Sequence, residues 1–111
     1  MKKIDIIREL SRKKAKRIYI SGGITGIDNY QQKFDEMETF LKEHGYKNVI
    51  NPVKVNLISD SFNWREFMVI DIALLSICDT IIMLKDWQNS QGCRTEYTFA
   101  KTNNYNIVEV K

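Results

Sequence analysis

Residues 79–100 read as a buried strand, a polar loop and a helix, and no other segment constrains the fold of this chain as strongly. The strand is a short, continuous apolar run at residues 80–84, typical of a parallel strand covered on both faces. A loop of turn-forming residues, 88–92, separates this strand from the helix that follows. On that helix one carboxylate shares a face with small side chains that would pack on the sheet: Cys93, Glu96 and Ala100.

Glu96 has two interpretations. Near the start of a helix, a glutamate is favoured because the helix dipole stabilises a negative charge there. Glu96 also follows the carboxyl end of a predicted parallel strand, where open α/β sheets bind ligands. It is therefore a candidate for chemistry, with a purely structural residue as the alternative.

The chain has 111 residues, enough for one hydrophobic core but not for two. No apolar run approaches the roughly 18 residues of a membrane span, and the first residues lack the apolar core of a signal peptide. A cytoplasmic location is therefore expected. The two cysteines and the single histidine have no metal-ligand spacing, so no metal or other cofactor is expected.

Positive charge is concentrated at the N-terminus. Residues 1–17 contain eight Lys and Arg against two acids, whereas the remainder has nine basic and twelve acidic residues. Residues 1–16 also carry an apolar stripe that includes Ile4, Ile7 and Leu10, which predicts an amphipathic helix packed on the body or on a partner subunit. A nucleic-acid arm is the less favoured alternative, because no base-reading pattern accompanies the charge.

The remaining pattern alternates helices and strands. After the helix at residues 2–15, the sequence predicts strands, helices and one loop in the following order: strand 17–21, a helix capped by Asp28 or Asn29 and ending at Gly45, strand 47–50, loop 53–63, helix 64–77 capped by Ser61 or Asn63, strand 80–84, the helix carrying Glu96, and strand 106–111 at a sheet edge.

This alternation predicts a parallel sheet with helices on both faces. The expected fold class is α/β: a flavodoxin-like or Rossmann-like three-layer domain over residues 17–111, preceded by the N-terminal helix. The sheet should have four or five strands in the order 2-1-3-4. That order would bring the segment after the first strand, residues 21–26, beside residues 87–96 at the switch point.

Residues 21–26, Ser-Gly-Gly-Ile-Thr-Gly, form the first notable loop. Three glycines after a strand allow close backbone approach and positive φ, which suits a phosphate or ribose. A tight connecting turn would use the same residues. The glycine spacing does not match the dinucleotide-binding fingerprint.

Asp71 is the second unusual carboxylate. Its neighbours three and four residues away on the predicted helix are all apolar: Phe67, Met68, Leu74 and Leu75. Asp71 would therefore be half buried or would face a cavity, where burial raises the pKa of an acid towards that of a proton donor at neutral pH. A narrow solvent stripe or a lysine partner is an equally good alternative.

Taken together, several segments resemble the nucleoside 2-deoxyribosyltransferase-like superfamily, and most closely a small-domain branch found in bacteria and phages. They are residues 19–26 (Tyr-Ile-Ser-Gly-Gly-Ile-Thr-Gly), Asn29-Tyr30, Asn51-Pro52, the Asp71 helix, Cys78-Asp79, and Trp87 followed by Ser90, Gly92 and Glu96. The resemblance covers residues 17–110. It implies a flavodoxin-like fold and cleavage or transfer at the N-glycosidic bond of a nucleoside or nucleoside 5′-monophosphate.

The resemblance also implies residue roles. Glu96 matches the family nucleophile, Asp71 the acid that protonates the departing base, and Tyr19 the tyrosine that orients the nucleophile. Ser90 matches a serine that contacts phosphate in the monophosphate hydrolases, which favours a nucleotide over a nucleoside. The residues expected to contact substrate are Ser21, Gly22, Gly23, Ile24, Thr25, Gly26, Tyr30, Trp87, Ser90 and Gly92, with Trp87 either stacking on the base or forming a hydrophobic lid.

The leading hypothesis is thus an N-glycosidase or deoxyribosyltransferase-like enzyme acting on a nucleotide or nucleoside, expected to form a homo-oligomer and to bind neither membrane nor nucleic acid. The alternative is a non-catalytic nucleotide-binding module, either a sensor or a sequestering protein. A protein-interaction domain built around the basic first helix is a third possibility.

Overall fold

The structure, a computed structural model, describes residues 3–56 and 61–111 and consists of one sheet between two layers of helices. Its elements in chain order are α1 (Lys3–Arg12), β1 (Ile18–Ser21), α2 (Tyr30–Glu43), β2 (Val49–Ile50), α3 (Pro52–Asn56), α4 (Trp64–Ser76), β3 (Thr80–Met83), a 3-10 turn (Trp87–Asn89), α5 (Gln91–Thr102) and β4 (Asn106–Glu109).

The sheet has four parallel strands in the order β2-β1-β3-β4. This confirms the predicted α/β fold, the strand order 2-1-3-4 and the edge position of the last strand. The two central strands, β1 and β3, pair along their full length, from Ile18 opposite Thr80 to Ser21 opposite Met83. From β1 the chain moves outward to β2 and then returns to β3 on the other side, so the switch point lies between β1 and β3.

Alternate residues of the central strands bury against different helices, because successive side chains of a strand point to opposite faces. On one face, Ile18, Ile20 and Ile82 share a core with α1 and α2. On the other, Tyr19 and Met83 share a core with α4 and α5. All four residues of β1 and of β3 are buried, which explains why residues 80–84 read as a continuous apolar run.

The N-terminal helix packs on the body of its own chain. Ile6 and Leu10 of α1 are fully buried in the core that includes α2. Lys13, just past the helix, donates a hydrogen bond from Nζ to the carbonyl of Ile107 at 2.7 Å, which ties this segment to the edge strand β4. Its exposed basic side chains form the outer surface of the helix.

The predicted loop at residues 53–63 is wrong in its first part, because α3 begins at Pro52. The side-chain Oδ1 of Asn51 accepts a hydrogen bond from the Val53 amide at 3.1 Å, and proline suits the first position of a helix because its missing N–H is not needed there. Residues 57–60 of that loop lie outside the described part of the chain.

Two predicted helix starts differ in their outcome. Asn63 caps α4, with a reciprocal hydrogen bond between its side chain and Glu66. Asn29 precedes α2 but makes no side-chain cap, since its backbone is left-handed with φ of 62°. Among the described helices, none has both the length and the apolar character to cross a membrane.

Candidate active site

A cavity of about 380 Å³ lies beyond the carboxyl end of β1, between α4 and the start of α5. The loop after β1 contributes Gly22, Ile24 and Thr25 to its wall. The other lining residues come from four helices and from the segment before α5: Tyr30, Val53, Trp64, Phe67, Met68, Asp71, Ser90, Gly92, Cys93 and Glu96. The fold therefore brings the glycine loop, Asp71 and Glu96 together.

Glu96 is held by two donors from β1. Its side chain is 5% exposed. The Tyr19 hydroxyl donates to Oε2 and the Ser21 hydroxyl donates to Oε1, the latter at 2.6 Å. Tyr19 and Ser21 are two residues apart on a strand, so both side chains point to the α5 side of the sheet. The carboxylate is thereby fixed at the cavity wall.

The dipole interpretation of Glu96 does not fit its position. Helix α5 begins at Gln91, so Glu96 lies in the second turn, beyond the N–H groups that carry the dipole's positive end. Ser90 fills the helix-start position instead, with its hydroxyl accepting a hydrogen bond from the Cys93 amide at 3.3 Å.

Burial raises the pKa of Glu96 to about 7, and the negative charge of Asp71 acts in the same direction. The hydrogen bonds from Ser21 and Tyr19 oppose this rise, since they stabilise the ionised form. Burial and the nearby charges of Glu96 and Asp71 raise the pKa of Tyr19 well above its ordinary value. Tyr19 therefore stays protonated and remains a donor, while Glu96 exchanges its proton near neutral pH.

Asp71 is 7% exposed and lines the same cavity. The structure thus excludes the solvent-stripe interpretation. Its helix neighbours Phe67 and Met68 also line the cavity, so the acid stands in a largely apolar wall. In such surroundings two carboxyl groups influence each other's ionisation more strongly than they would in water.

Two glycines of the loop after β1, Gly22 and Gly26, are required for different structural reasons. A Cβ on Gly22 would lie 2.8 Å from Leu84 Cδ1 and 3.1 Å from Phe34 Cζ, so the loop can pass between these side chains only without one. Gly26 has a φ of +73° and turns the chain towards α2. It is not among the described residues that line the cavity.

Four of the residues expected to contact substrate are not among the described residues that line this cavity: Ser21, Gly23, Gly26 and Trp87. Trp87 does not line the cavity within the described residues; its ring stacks on Tyr97 with centroids 4.6 Å apart, and Nε1 donates to Glu109 Oε1 at 3.1 Å. Ser21 is buried, its hydroxyl donates to Glu96, and it is not among the described residues that line the cavity.

Trp64 is an aromatic lining residue that was not predicted from the sequence, and Phe67 is another. Trp64 is 50% exposed and lies at the start of α4, two helical turns before Asp71 and therefore on the same face. That spacing of seven residues was the available signal. Tyr30, the other aromatic residue expected at the site, does line the cavity.

No group of three or more His, Cys, Asp and Glu side chains that could hold a metal ion occurs in residues 3–56 and 61–111. The chemistry that the described side chains offer is that of two carboxyl groups. An ionised, rigidly held Glu96 can stabilise or trap a carbon that develops positive charge, and a protonated Asp71 can protonate a leaving group.

No curated protein and no solved structure matches this chain. A family model described as domain of unknown function DUF4406 matches residues 16–109, which is most of the chain from the end of the basic segment to the last strand. The protein therefore belongs to the DUF4406 family.

Proposed function

We propose that this protein cleaves the N-glycosidic bond of a nucleotide, with Glu96 as nucleophile, Asp71 as general acid and Tyr19 as the residue that positions Glu96. The observation that carries the proposal is the buried Glu96 carboxyl, held on both oxygens by Tyr19 and Ser21 and facing a cavity that Asp71 also lines. The sequence resemblance to nucleoside 2-deoxyribosyltransferase-like enzymes supports the same assignment.

The reaction proceeds in two steps. As the bond between C1′ and the base breaks, the Glu96 carboxylate attacks C1′ and forms an ester, while Asp71 gives its proton to the departing base nitrogen. Water, or a second base in a transfer reaction, then attacks C1′ and releases the Glu96 carboxylate. The now ionised Asp71 takes up the proton that the incoming nucleophile loses.

The reactive form has Glu96 ionised and Asp71 protonated. The hydrogen bonds from Tyr19 and Ser21 favour an ionised Glu96, because they stabilise the negative charge of that carboxyl. The bound substrate also excludes water from a cavity with several apolar walls, which strengthens the attraction between the carboxylate and the positive charge at C1′.

The substrate is a nucleoside 5′-monophosphate or a longer nucleotide in preference to a nucleoside. Ser90 and the loop of Ile24 and Thr25 contact the 5′-phosphate, in agreement with the serine found at this place in the resemblance. Tyr30 and Trp64 offer aromatic faces for the base, and Trp64 is exposed enough to be reached.

Incubation of the purified protein with a panel of nucleotides, followed by chromatography for free base, tests the proposal. We expect base release by the wild type and none by Glu96→Gln. Glu43→Gln is the matched control, because Glu43 is exposed and lies outside the cavity. The absence of base from every nucleotide, with Glu96→Gln behaving as the wild type, would contradict it. Tight binding of a nucleotide recovered intact would instead favour the non-catalytic binding module.

The proposal includes self-association of the chain. Its support is the exposed apolar surface of α4 and of the residue that follows it: Val69 in α4 is 66% exposed and Ile77, at the end of the helix, is 54% exposed. Sedimentation velocity at two protein concentrations would test it, and a single monomeric species at both would argue against it.

A further inference from the structure

A second cavity, of about 490 Å³, adjoins the first. The two share five lining residues, which are Ile24, Thr25, Trp64, Ser90 and Gly92. A common wall of this extent makes them two halves of one cleft, with the carboxylates in the first half and the shared residues in the middle.

The two halves differ in charge. Among the described residues that line the first cavity, the ionisable carboxylates are Asp71 and Glu96, and none is Lys, Arg or His. The second cavity is lined by Lys33 and Lys85, with Asp86 as its acid. Neither lysine forms an ion pair within the described part of the chain, whereas Lys42 and Lys54 elsewhere in the protein do.

The lysines come from different elements that meet at the switch point. Lys33 stands one turn into α2, and Lys85 follows the end of β3. Both are exposed, so they can reach a ligand without first leaving another partner. Two lysines against one acid, Asp86, leave an excess of positive charge at this end of the cleft, which attracts an anionic group to it.

We propose that Lys33 and Lys85 bind a phosphate beyond the 5′-phosphate, so that the ligand of this cleft is a nucleoside carrying a pyrophosphate at its 5′ oxygen. This rests on the proposed function, which puts C1′ at Glu96 and the first phosphate at Ser90. Because Ser90 lines both cavities and Glu96 only the first, a ligand that extends beyond Ser90, away from Glu96, enters the second cavity. A nucleoside or a monophosphate leaves that half of the cleft unfilled and its lysines without an anion.

Binding measurements separate this proposal from the cleavage reaction. Calorimetry measures the binding of the mono- and diphosphates of adenosine, guanosine, cytidine and uridine to Glu96→Gln, in which cleavage is blocked. The same titrations are made with the wild type, and their products are then analysed by chromatography. We expect the diphosphate of the preferred base to bind about tenfold tighter than its monophosphate, as one added charge-assisted contact would give.

The lysine variants identify the origin of that difference. Lys33→Ala and Lys85→Ala should each remove most of the advantage of the diphosphate and leave monophosphate binding unchanged. Lys47→Ala is the matched control, since Lys47 is exposed and lines neither cavity. Equal affinity for mono- and diphosphate, or lysine variants that bind the diphosphate as the wild type does, would overturn the proposal.

The two levels of inference fail separately. Base release without any preference for diphosphate would overturn the pyrophosphate subsite and leave the N-glycosidase standing. A diphosphate preference that depends on Lys33 and Lys85, without base release, would overturn the N-glycosidase and leave the pyrophosphate subsite standing. A dinucleotide joined through pyrophosphate, tested as a further ligand, shows which class of molecule carries the pyrophosphate. If it binds tighter than the diphosphate, the ligand is a dinucleotide; if it binds equally, the ligand is a nucleoside diphosphate.

Discussion

The Tyr19 hydroxyl donates a hydrogen bond to Oε2 of Glu96, which joins the second residue of β1 to the second turn of α5. Tyr19 has no solvent-exposed surface, so its ring is fixed by the core and its hydroxyl has one direction in which to point. The fold thus sets the orientation of Glu96 before any ligand arrives. The pKa of Glu96 depends on this bond as well as on burial.

Tyr19→Phe should raise the pKa of Glu96 above its present value of about 7, because it removes a donor that stabilises the ionised carboxylate. Less Glu96 is then ionised at pH 7, and base release there should fall about tenfold and recover in part at higher pH. A carbon-13 NMR titration of the Glu96 carboxyl measures the shift directly. Tyr97→Phe, which changes a tyrosine outside the cavity, is the control, and an unchanged titration in Tyr19→Phe would contradict the role given to this bond.

Glu96 should cost the protein stability at neutral pH. Its pKa is raised in the folded state, so the folded protein keeps a proton that the unfolded chain loses near pH 4.5. The contribution of Glu96 to the free energy of unfolding therefore falls by about 3 kcal/mol as pH rises from about 4.5 to about 7, and it is constant above that range.

Glu96→Gln should therefore be more stable than the wild type at pH 8 and similar to it at pH 4.5. Urea unfolding at both pH values measures the difference, with Glu43→Gln again as control. If Glu96→Gln changes the free energy of unfolding by the same amount at both pH values, Glu96 makes no pH-dependent contribution to stability, and the burial argument for its raised pKa is wrong.

The fold was predictable because its signals are local and repeated. Residues 80–84 form an apolar run and residues 17–21 are rich in β-branched and aromatic side chains; both lie between helical segments, a pattern typical of a parallel sheet covered on both faces. The missed helix α3 had a signal, Asn51 before Pro52, but five residues give no period to detect.

The site was predictable in part, for a different reason. Glu96 and Asp71 stand out because each is a charge on an apolar face. Trp87 and Ser21 could not be assigned correctly, since one side chain turns to Tyr97 and Glu109 and the other to Glu96, and sequence does not tell which neighbour a side chain meets. Lys33 and Lys85 are 52 positions apart and carry no motif, so only the fold relates them to one cavity.

Glu38 is a third buried carboxylate; it is not among the described residues that line the cavity, and it stabilises the fold. Burial alone would raise the pKa of Glu38, but hydrogen bonds from Lys42, Lys54 and Asn51 outweigh it and lower the pKa to about 2. The lysine nitrogens lie 2.7 and 2.8 Å from its oxygens. The sign is opposite to that of Glu96: this contribution is fully present above about pH 4.5 and is lost as pH falls towards 2.

Glu38→Gln should reduce the free energy of unfolding by about 2 kcal/mol at pH 7, less than the pKa shift alone would give, because both lysines are half exposed and solvent screens them. The variant should also lose stability less steeply than the wild type as the pH is lowered from 4.5 to 2.5. If the free energy of unfolding fell equally steeply with pH in both proteins, the pKa of Glu38 would not be lowered in the folded state. Glu36→Gln, on the exposed side of the same helix, is the matched control.

The two adjacent glycines after β1 should respond differently to alanine. A Cβ on Gly22 would sit 2.8 Å from Leu84 Cδ1 and 3.1 Å from Phe34, a ring fixed in the core, so Gly22→Ala should cost about 1–3 kcal/mol of stability. A Cβ on Gly23 would meet its nearest neighbour, Ile27 Cγ1, at an ordinary 3.5 Å, and Gly23→Ala should unfold like the wild type. Thermal unfolding compares the two variants. Because Leu84 is the closer obstacle, Gly22→Ala combined with Leu84→Val should recover part of the loss, and equal stability of the two single variants would contradict the close approach at Gly22.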